Sequence, residues 1–243
     1  MRRAAWFVLI LGMASGSAAA AEPDWEFGVA PYLWGAGIDG DIKLGRLPAQ
    51  GVEASFSDLL DVLDIGGMLA FEGQKGTWGF FVDAIYLKFD DQAPAPDPTF
   101  GEVRAELTQQ YYTAAATCRV IHGKVDLDVL AGARFTDMQV ELELLGGVAD
   151  GRSRSRGTDW WDGIAGARVR YHPGEHWTIM GYVDAGLGGS DLTWQLAGGA
   201  SYAFNKTIAL GFGYRALDQD LDEPEFQYDT LLAGPYLGVK FAF

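Results

Sequence analysis

Hydrophobic and polar residues alternate along most of the chain after residue 24, in segments separated by short polar stretches. In residues 159–171, for example, Trp161 and Val169 fall on one face while Asp162 and Arg168 fall on the other. A two-residue period places successive side chains on opposite faces of a β-strand. The pattern predicts an all-β protein whose strands have one apolar face and one polar face.

Ten segments have this character, each close to or longer than the roughly 9 to 11 residues that a tilted membrane-spanning strand needs. They are residues 25–38, 66–74, 77–89, 103–121, 124–143, 159–171, 177–188, 192–204, 207–217 and 226–243. We therefore expect one closed antiparallel transmembrane β-barrel of about ten strands, with eight and twelve strands as alternatives.

The connections between these segments alternate in length. Turn-like sequences occupy residues 74–76, 122–124, 173–175 and 205–206, whereas longer polar links occupy 39–65, 90–102, 144–158 and 218–225, with 189–191 as a short exception. Bacterial outer-membrane barrels have short periplasmic turns and longer outer loops. The alternation predicts that both chain termini lie in the periplasm.

The polar faces carry residues of both charge signs, which can form ion pairs inside a narrow lumen. We expect a luminal polar network of Asp83, Arg119, Arg134, Asp162, Arg168, Arg170, Asp184, Arg215 and Lys240. The apolar faces are rich in aromatic residues near the strand ends, as the interfacial girdles of membrane barrels are. Periodicity alone also fits a soluble periplasmic β-barrel that binds an apolar ligand, and that alternative stays open here.

Residues 57–64 break the strand pattern. Ser57 can cap a short helix, Asp58 lies near its positive end, and Leu59, Leu60 and Leu63 have helical spacing. The first outer loop is therefore expected to contain a helical turn. It either packs on the barrel rim or folds into the mouth.

Composition narrows the class of protein. Residues 1–21 have Arg2 and Arg3, an apolar run and then small residues, which predicts a signal peptide followed by a single barrel domain over 22–243. The apolar run is too short for a membrane helix, and no other segment offers about eighteen apolar residues. Cys118 is the only cysteine, so no disulfide within the chain is possible.

Charge and glycine content add two constraints. The chain has 18 Lys and Arg against 33 Asp and Glu, so nucleic acid is not expected as a partner. Glycine accounts for 33 of 243 residues, about twice its usual share of about 7%. Glycine within alternating segments suits a curved, closed sheet.

The final strand carries a recognisable arrangement. Tyr236 is followed by Gly238, Phe241 and the terminal Phe243. This arrangement resembles the insertion signal of Gram-negative outer-membrane β-barrel proteins. The resemblance implies an outer-membrane location, the barrel assembly machinery as a partner of the last strand, and contact with outer-membrane lipid and lipopolysaccharide.

A second resemblance covers about the first third of the mature chain. It lies in residues 31–34 (Pro-Tyr-Leu-Trp), 56–61 (Phe-Ser-Asp-Leu-Leu-Asp), 76–79 (Gly-Thr-Trp-Gly) and 83–87 (Asp-Ala-Ile-Tyr-Leu). These segments resemble a group of proteobacterial outer-membrane proteins of unassigned role. The resemblance supports the fold and the location and implies no activity.

Candidate catalytic and metal-binding residues are few. A lipid-A hydrolase or a surface protease needs histidine at the outer rim, whereas His122, His172 and His176 all fall in predicted periplasmic turns. His172 and His176 lack an obvious third metal ligand. No catalytic residue, metal site or cofactor is therefore predicted.

Two charged segments lie in predicted outer loops. One holds acidic residues that are expected to be solvated or to bind a divalent cation: Asp218, Asp220, Asp222, Glu223, Glu225 and Asp229. The other holds Arg152, Arg154 and Arg156, which either contact lipopolysaccharide phosphates or belong to an ordinary flexible loop.

These features predict a non-enzymatic outer-membrane barrel with a structural role, a surface-interaction role or a narrow pore for small solutes. A barrel enzyme that acts on lipid A or peptides is the alternative. Ten strands enclose a lumen little wider than the eight-stranded kind that side chains fill, so general porin activity is not expected. The oligomeric state stays open.

Overall fold

The computed structural model describes residues 24–44, 50–94, 101–147, 151–223 and 226–243. The predicted signal peptide lies outside these residues. The described residues form twelve strands and one helix: β1 (Glu26–Trp34), β2 (Gly37–Leu44), β3 (Gln50–Ala54), α1 (Phe56–Asp61), β4 (Leu63–Lys75), β5 (Trp78–Pro94), β6 (Glu102–Ile121), β7 (Val125–Leu145), β8 (Arg152–Tyr171), β9 (Trp177–Gly188), β10 (Leu192–Ala203), β11 (Ile208–Glu223) and β12 (Phe226–Ala242).

The strands form a closed antiparallel barrel. Neighbours pair in the order β1, β4 and then β5 through β12, and β12 pairs back with β1. β2 continues the wall begun by β1, because β12 pairs with β1 as far as Trp34 and with β2 from Gly37 onward. β3 adds to the free edge of β2. The barrel therefore has ten wall positions, which confirms the predicted fold class and shows that the eight-strand and twelve-strand alternatives are wrong.

The single described helix follows β3 in the first long connection, as predicted, but its cap differs from the prediction. Ser55, not Ser57, is the N-cap, and it forms a reciprocal capping box with Asp58. Ser55 lies three residues before Asp58, the spacing that this box requires. None of the α1 residues is buried, so the helix lies on the rim. No described helix is long and apolar enough to span a bilayer.

Several strands extend well beyond their predicted ends, into segments expected to be loops. Asp218, Asp220, Asp222 and Glu223 lie in β11, Asp229 lies in β12, and Arg152, Arg154 and Arg156 lie in β8. At the start of β8 the prediction of a loop was wrong because both faces of the extension are exposed, so the apolar and polar alternation disappears while the backbone pairing continues. In β11 the prediction was wrong for another reason: the inner face stays buried at Gln219 and Leu221, and the charged residues occupy the outer face. Glu225 lies outside the described residues.

A continuous apolar band surrounds the outside of the barrel. Val129, Val169 and Phe212 point outward and are 44%, 41% and 45% exposed, whereas Arg134 points inward and is 0% exposed. Along β7 and β8 the band runs from the Phe135 and Trp161 pair to the Val125 and Tyr171 pair. Ten residues of tilted strand correspond to about 25 Å, the usual height of the apolar band of an outer-membrane barrel.

The outer face changes character sharply at one end of this band. Phe135 is followed on the same face by Asp137, and Trp161 is preceded by Asp159. Beyond this border the exposed face carries charged pairs such as Arg104 with Asp90. We call this end of the barrel the loop end. The opposite end, which holds the four short turns and the contact between Phe27 and Phe243, is the turn end.

Candidate functional site

The lumen of the barrel is the candidate site, and it contains three layers. At the turn end, the buried carboxylate of Asp128 accepts hydrogen bonds from Arg119 (3.0 Å), Arg168 (3.1 Å) and Arg170 (2.7 Å). Glu72 accepts from Arg168 (2.9 Å) and from Lys240, which extends the cluster across the lumen. Ion pairs that are hydrogen-bonded on several sides in this way hold their side chains in fixed positions.

A second charged layer crosses the middle of the barrel. Arg134 donates to both carboxylate oxygens of Asp184 (2.9 and 2.8 Å) and to the Thr193 hydroxyl (2.8 Å). Arg215 donates to Asp83 (2.7 Å) and to the Tyr32 hydroxyl (2.9 Å). The side-chain oxygen of Gln195 accepts from Arg134 (3.3 Å) and from Arg215 (2.8 Å), and thereby joins the two pairs.

Asp162 is the remaining member of the predicted polar network. It is buried and accepts a hydrogen bond from the backbone nitrogen of Ser190 (2.9 Å), in the connection between β9 and β10. The structure therefore places all nine predicted side chains on the inner face. Eight of them form two charged clusters, and Asp162 binds backbone instead.

Sequence reasoning left several members of these clusters out of the predicted network. Asp126, which lies 3.8 Å from Arg119, and Asp128 alternate with apolar residues at the start of β7, so the two-residue period was a sufficient signal for them. Glu72 was harder to identify because β4 has no clean alternation. Within the predicted segment 66–74, Glu72 is the one charged residue, and this was the only sign of its position.

A mainly apolar layer, with Gln109, Thr136, Gln219 and Thr230 buried among its side chains, fills the half of the lumen nearest the loop end. Its lower part consists of Trp34, Ile38, Ile85, Tyr111, Leu217 and Leu232, none of which is more than 6% exposed. Met138, Trp160, Leu221 and Tyr228 pack above them. The Arg215 guanidinium lies 4.8 Å from the centre of the Trp34 ring, so the charged and apolar layers are in direct contact.

The hairpin and helix of the first long connection pack on this apolar layer. Val52 and Ala54 of β3 and Leu59 of α1 are partly buried against it. The described part of residues 39–65 therefore packs over the apolar layer at the rim.

A cavity of about 280 Å³ remains between the charged layers. Small residues such as Gly28, Ala30 and Gly211 line one side of it, and Phe81 and Tyr182 line the other. The cavity has room for several water molecules. None of the ten buried apolar or aromatic residues of the apolar layer lines the cavity.

The three histidines lie at the turn end, at the positions that the sequence predicted. His122 contacts Asp126 (3.0 Å), His172 contacts Thr178 (3.1 Å), and His176 contacts the carbonyl oxygen of Ala203 (2.9 Å). Within the described ranges, no group of three or more His, Cys, Asp and Glu side chains could hold a metal ion.

The four residues of the predicted insertion signal lie in and just after β12. Tyr236 and Gly238 point inward, whereas Phe241 and Phe243 point outward and are exposed. The backbone of Phe243 forms two hydrogen bonds with Phe27 (both 3.0 Å), so the end of the chain is held at the seam where the barrel closes. The role of these residues in membrane insertion stays a prediction.

The outer face at the loop end carries a row of like charges. Asp220 pairs directly with Asp229 on β12, and Asp229 pairs with Asp41 on β2. Partial burial, followed by repulsion from Asp229, raises the pKa of both Asp218 and Asp220 above the usual range for aspartate. The row is therefore a local source of instability at neutral pH.

No family model matches the chain, and no curated protein matches it either. Solved structures with a similar fold include the outer membrane protease OmpT from Escherichia coli, with a TM-score of 0.60, 9% identity, and coverage of 93% of this chain and 99% of that chain. Weaker matches include Ail of Yersinia pestis (TM-score 0.38, 12% identity, 91% and 99% coverage) and Neisserial surface protein A (TM-score 0.33, 14% identity, 90% and 97% coverage). The chain has the fold of Gram-negative outer-membrane β-barrel proteins.

Proposed function

We propose that the protein is an integral β-barrel of the Gram-negative outer membrane, with its turn end and both termini in the periplasm. Three observations support this location and orientation. The barrel has the fold of outer-membrane barrels, its outer surface carries an apolar band about 25 Å high, and its short connections lie together at one end. Long connections and charged extensions above the band suit the cell surface.

Within that membrane, we propose a non-enzymatic surface-interaction role for a barrel that does not conduct. The observation that carries this proposal is the packing of the lumen. Arg134, Asp128 and Asp184 are at most 1% exposed, and ten apolar or aromatic side chains fill the lumen above them. A solute would have to displace buried ion pairs and packed aromatic rings together, which makes the narrow-pore alternative unfavourable.

The enzyme alternative receives less support from the geometry. The OmpT structure is that of a protease, and its fold is similar, but 9% identity carries no activity to this chain. All three histidines lie at the turn end, on the opposite side of the membrane from the proposed cell surface. Within the described residues, the charged groups of the two lumen clusters are bonded to one another, and Asp162 accepts a hydrogen bond from the Ser190 backbone.

Two experiments test the proposal. Membrane fractionation is expected to recover the protein in the outer-membrane fraction, with a heat-dependent shift on a gel, whereas recovery in the soluble periplasmic fraction would contradict the location. In planar lipid bilayers, the purified barrel is expected to give no current above background. Stable single-channel current steps would show that the lumen conducts. They would contradict the closed barrel and support the narrow-pore alternative.

A further inference from the structure

The wall of the barrel has an opening at the loop end, next to β8. β8 pairs with β7 along its whole length, from Arg152 to Tyr171. Its pairing with β9 begins only at Asp162, because β9 and β10 are joined by a short turn. Within the described chain, the segment Arg152–Trp161 thus has a partner strand on one side only. This segment, the β8 edge, rises above the apolar band.

The direction in which the backbone N–H and C=O groups of the β8 edge point can be deduced from the neighbouring hydrogen bonds. The Trp161 carbonyl accepts from the Gly189 nitrogen on the open side (2.8 Å), so odd-numbered residues of β8 direct their backbone groups away from β7. The backbone N–H and C=O groups of Ser153, Ser155 and Gly157 therefore also point away from β7. These residues are exposed, and no described strand satisfies their open-side donors and acceptors. The β8 edge therefore offers a template for another strand.

The side chains of the β8 edge differ between its two faces. Arg152 and Arg154 pair with Leu144 and Leu142, on the same face as the buried Met138. Both arginines are exposed, and neither has an ion-pair partner among the described residues. The opposite face carries Glu141 and Glu143 next to Ser155 and Ser153. Positive charge thus lies on the inner face and negative charge on the outer face.

This difference in charge between the two faces determines which kind of binding partner fits the β8 edge. Lipopolysaccharide surrounds the outer face of a barrel, where Glu141 and Glu143 would repel its phosphates. A second copy that added its own β8 edge would place arginines opposite arginines, which is unfavourable. An extended peptide with a carboxylate at every second residue would place its acidic side chains about 5 Å from those of Arg152 and Arg154. It would also satisfy the free backbone groups.

We propose that the β8 edge is a docking site for an extended acidic segment of another protein, which binds by adding a strand to the sheet. The inference rests on the proposed surface role, because it names the kind of partner that such a surface takes. Backbone hydrogen bonds would supply much of the affinity, and the two arginines would select carboxylates.

The test uses the full-length mature barrel in detergent micelles and a labelled nine-residue peptide that alternates aspartate with threonine and valine. Fluorescence anisotropy at low salt is expected to show saturable binding, and hydrogen exchange is expected to slow at the amides of Ser153, Ser155 and Gly157. A peptide with asparagine in place of aspartate is expected to bind about tenfold more weakly or less.

Matched variants separate backbone pairing from charge. Ser155→Pro removes a donor on the open side without breaking the ladder with β7, and it is expected to weaken binding about fivefold, whereas Ser155→Ala keeps the donor and the affinity. The double variant Arg152→Gln/Arg154→Gln is expected to weaken binding about tenfold. Glu143→Gln, on the outer face, leaves binding intact or strengthens it.

The outcomes distinguish this inference from the proposed function. A barrel that stays in the outer membrane and shows the heat-dependent shift, but neither binds the peptide nor protects these amides, overturns the docking site alone. Equal affinity of Ser155→Pro and Ser155→Ala also overturns it. If purified lipopolysaccharide displaces the peptide from the arginines while Ser155→Pro binds normally, the site recognises phosphate and the strand-addition proposal is wrong.

Discussion

At the scale of single residues, the buried ion pairs are the groups on which barrel stability is expected to depend most. Arg134→Met leaves the Asp184 carboxylate buried without its cation, and this is expected to lower the free energy of unfolding by about 3 to 5 kcal/mol. Urea unfolding in detergent micelles measures the effect. The double variant Arg134→Met/Asp184→Asn is expected to lose less than Arg134→Met alone, because the unpaired charge is gone. An equal or larger loss in the double variant would contradict this view of the pair.

A second residue-scale prediction concerns the ring of Tyr236, which lies over two glycines. A Cβ atom at Gly213 would come within 2.6 Å of the Tyr236 hydroxyl and 2.2 Å of the Gly198 carbonyl oxygen, so Gly213→Ala is expected to displace the ring and destabilise the barrel. Gly198→Ala is a matched control on the outward face, where the nearest atom is 3.8 Å away. The temperature of the gel shift is expected to fall for Gly213→Ala only. A fall of the same size in both variants would show that close packing is not the cause.

At the scale of elements, β11, β12 and β2 carry the row of aspartates described above. The pKa values of Asp218 and Asp220 are raised in the folded barrel, so folding becomes less favourable as pH rises through the normal aspartate range toward these raised values. Asp229→Asn removes the charge that both residues face. It is expected to raise stability at pH 7 by up to about 1 kcal/mol, and the gain is expected to vanish at low pH.

The control for the aspartate row is Glu175→Gln, which makes the same charge change in an exposed turn at the other end of the barrel. Urea midpoints of both variants are compared at pH 7 and near pH 3, in the same detergent. A gain at pH 7 confined to Asp229→Asn supports local repulsion. Equal gains in both variants would instead indicate a general effect of net charge.

The strands also differ in how much of their length can be predicted from the sequence. Most of the ten wall segments follow from the two-residue period, because one face meets an apolar surrounding and the other points into the lumen; β4, which has no clean alternation, is an exception. The upper ends of β5 and β8 do not follow from the two-residue period, because residues 91–94 and 152–157 are exposed on both faces and only pairing with a neighbouring strand makes them regular. The upper end of β11 keeps a buried inner face at Gln219 and Leu221, and acidic residues on its outer face gave it the composition of a loop.

Luminal partners are less predictable than luminal positions. Arg134 lies directly opposite Asp162 in the register of β7 and β8, yet it bonds Asp184 on β9, 50 residues away along the chain. Which carboxylate an inward arginine reaches depends on barrel radius and on the length and tilt of the side chain. Those quantities exist only once the sheet has closed.

At the scale of the whole molecule, every proposal depends on one arrangement: the apolar face contacts hydrocarbon while the charged face is enclosed. This arrangement explains how a chain with 33 acidic residues can span a membrane, because the charges within the membrane layer lie in the lumen and the others lie above or below the apolar band. It is also consistent with the short turns at the turn end and the strands that extend beyond the apolar band at the loop end.

Site-directed spin labelling in lipid vesicles tests this arrangement most directly. Labels are placed at residues 129, 169 and 212 in a Cys118→Ala background, with residues 139 and 155 as controls above the band. We expect labels at the first three positions to be accessible to oxygen and shielded from a water-soluble nickel reagent, and the controls to show the reverse. Ready access of the nickel reagent to residues 129, 169 and 212 would contradict the membrane-spanning barrel.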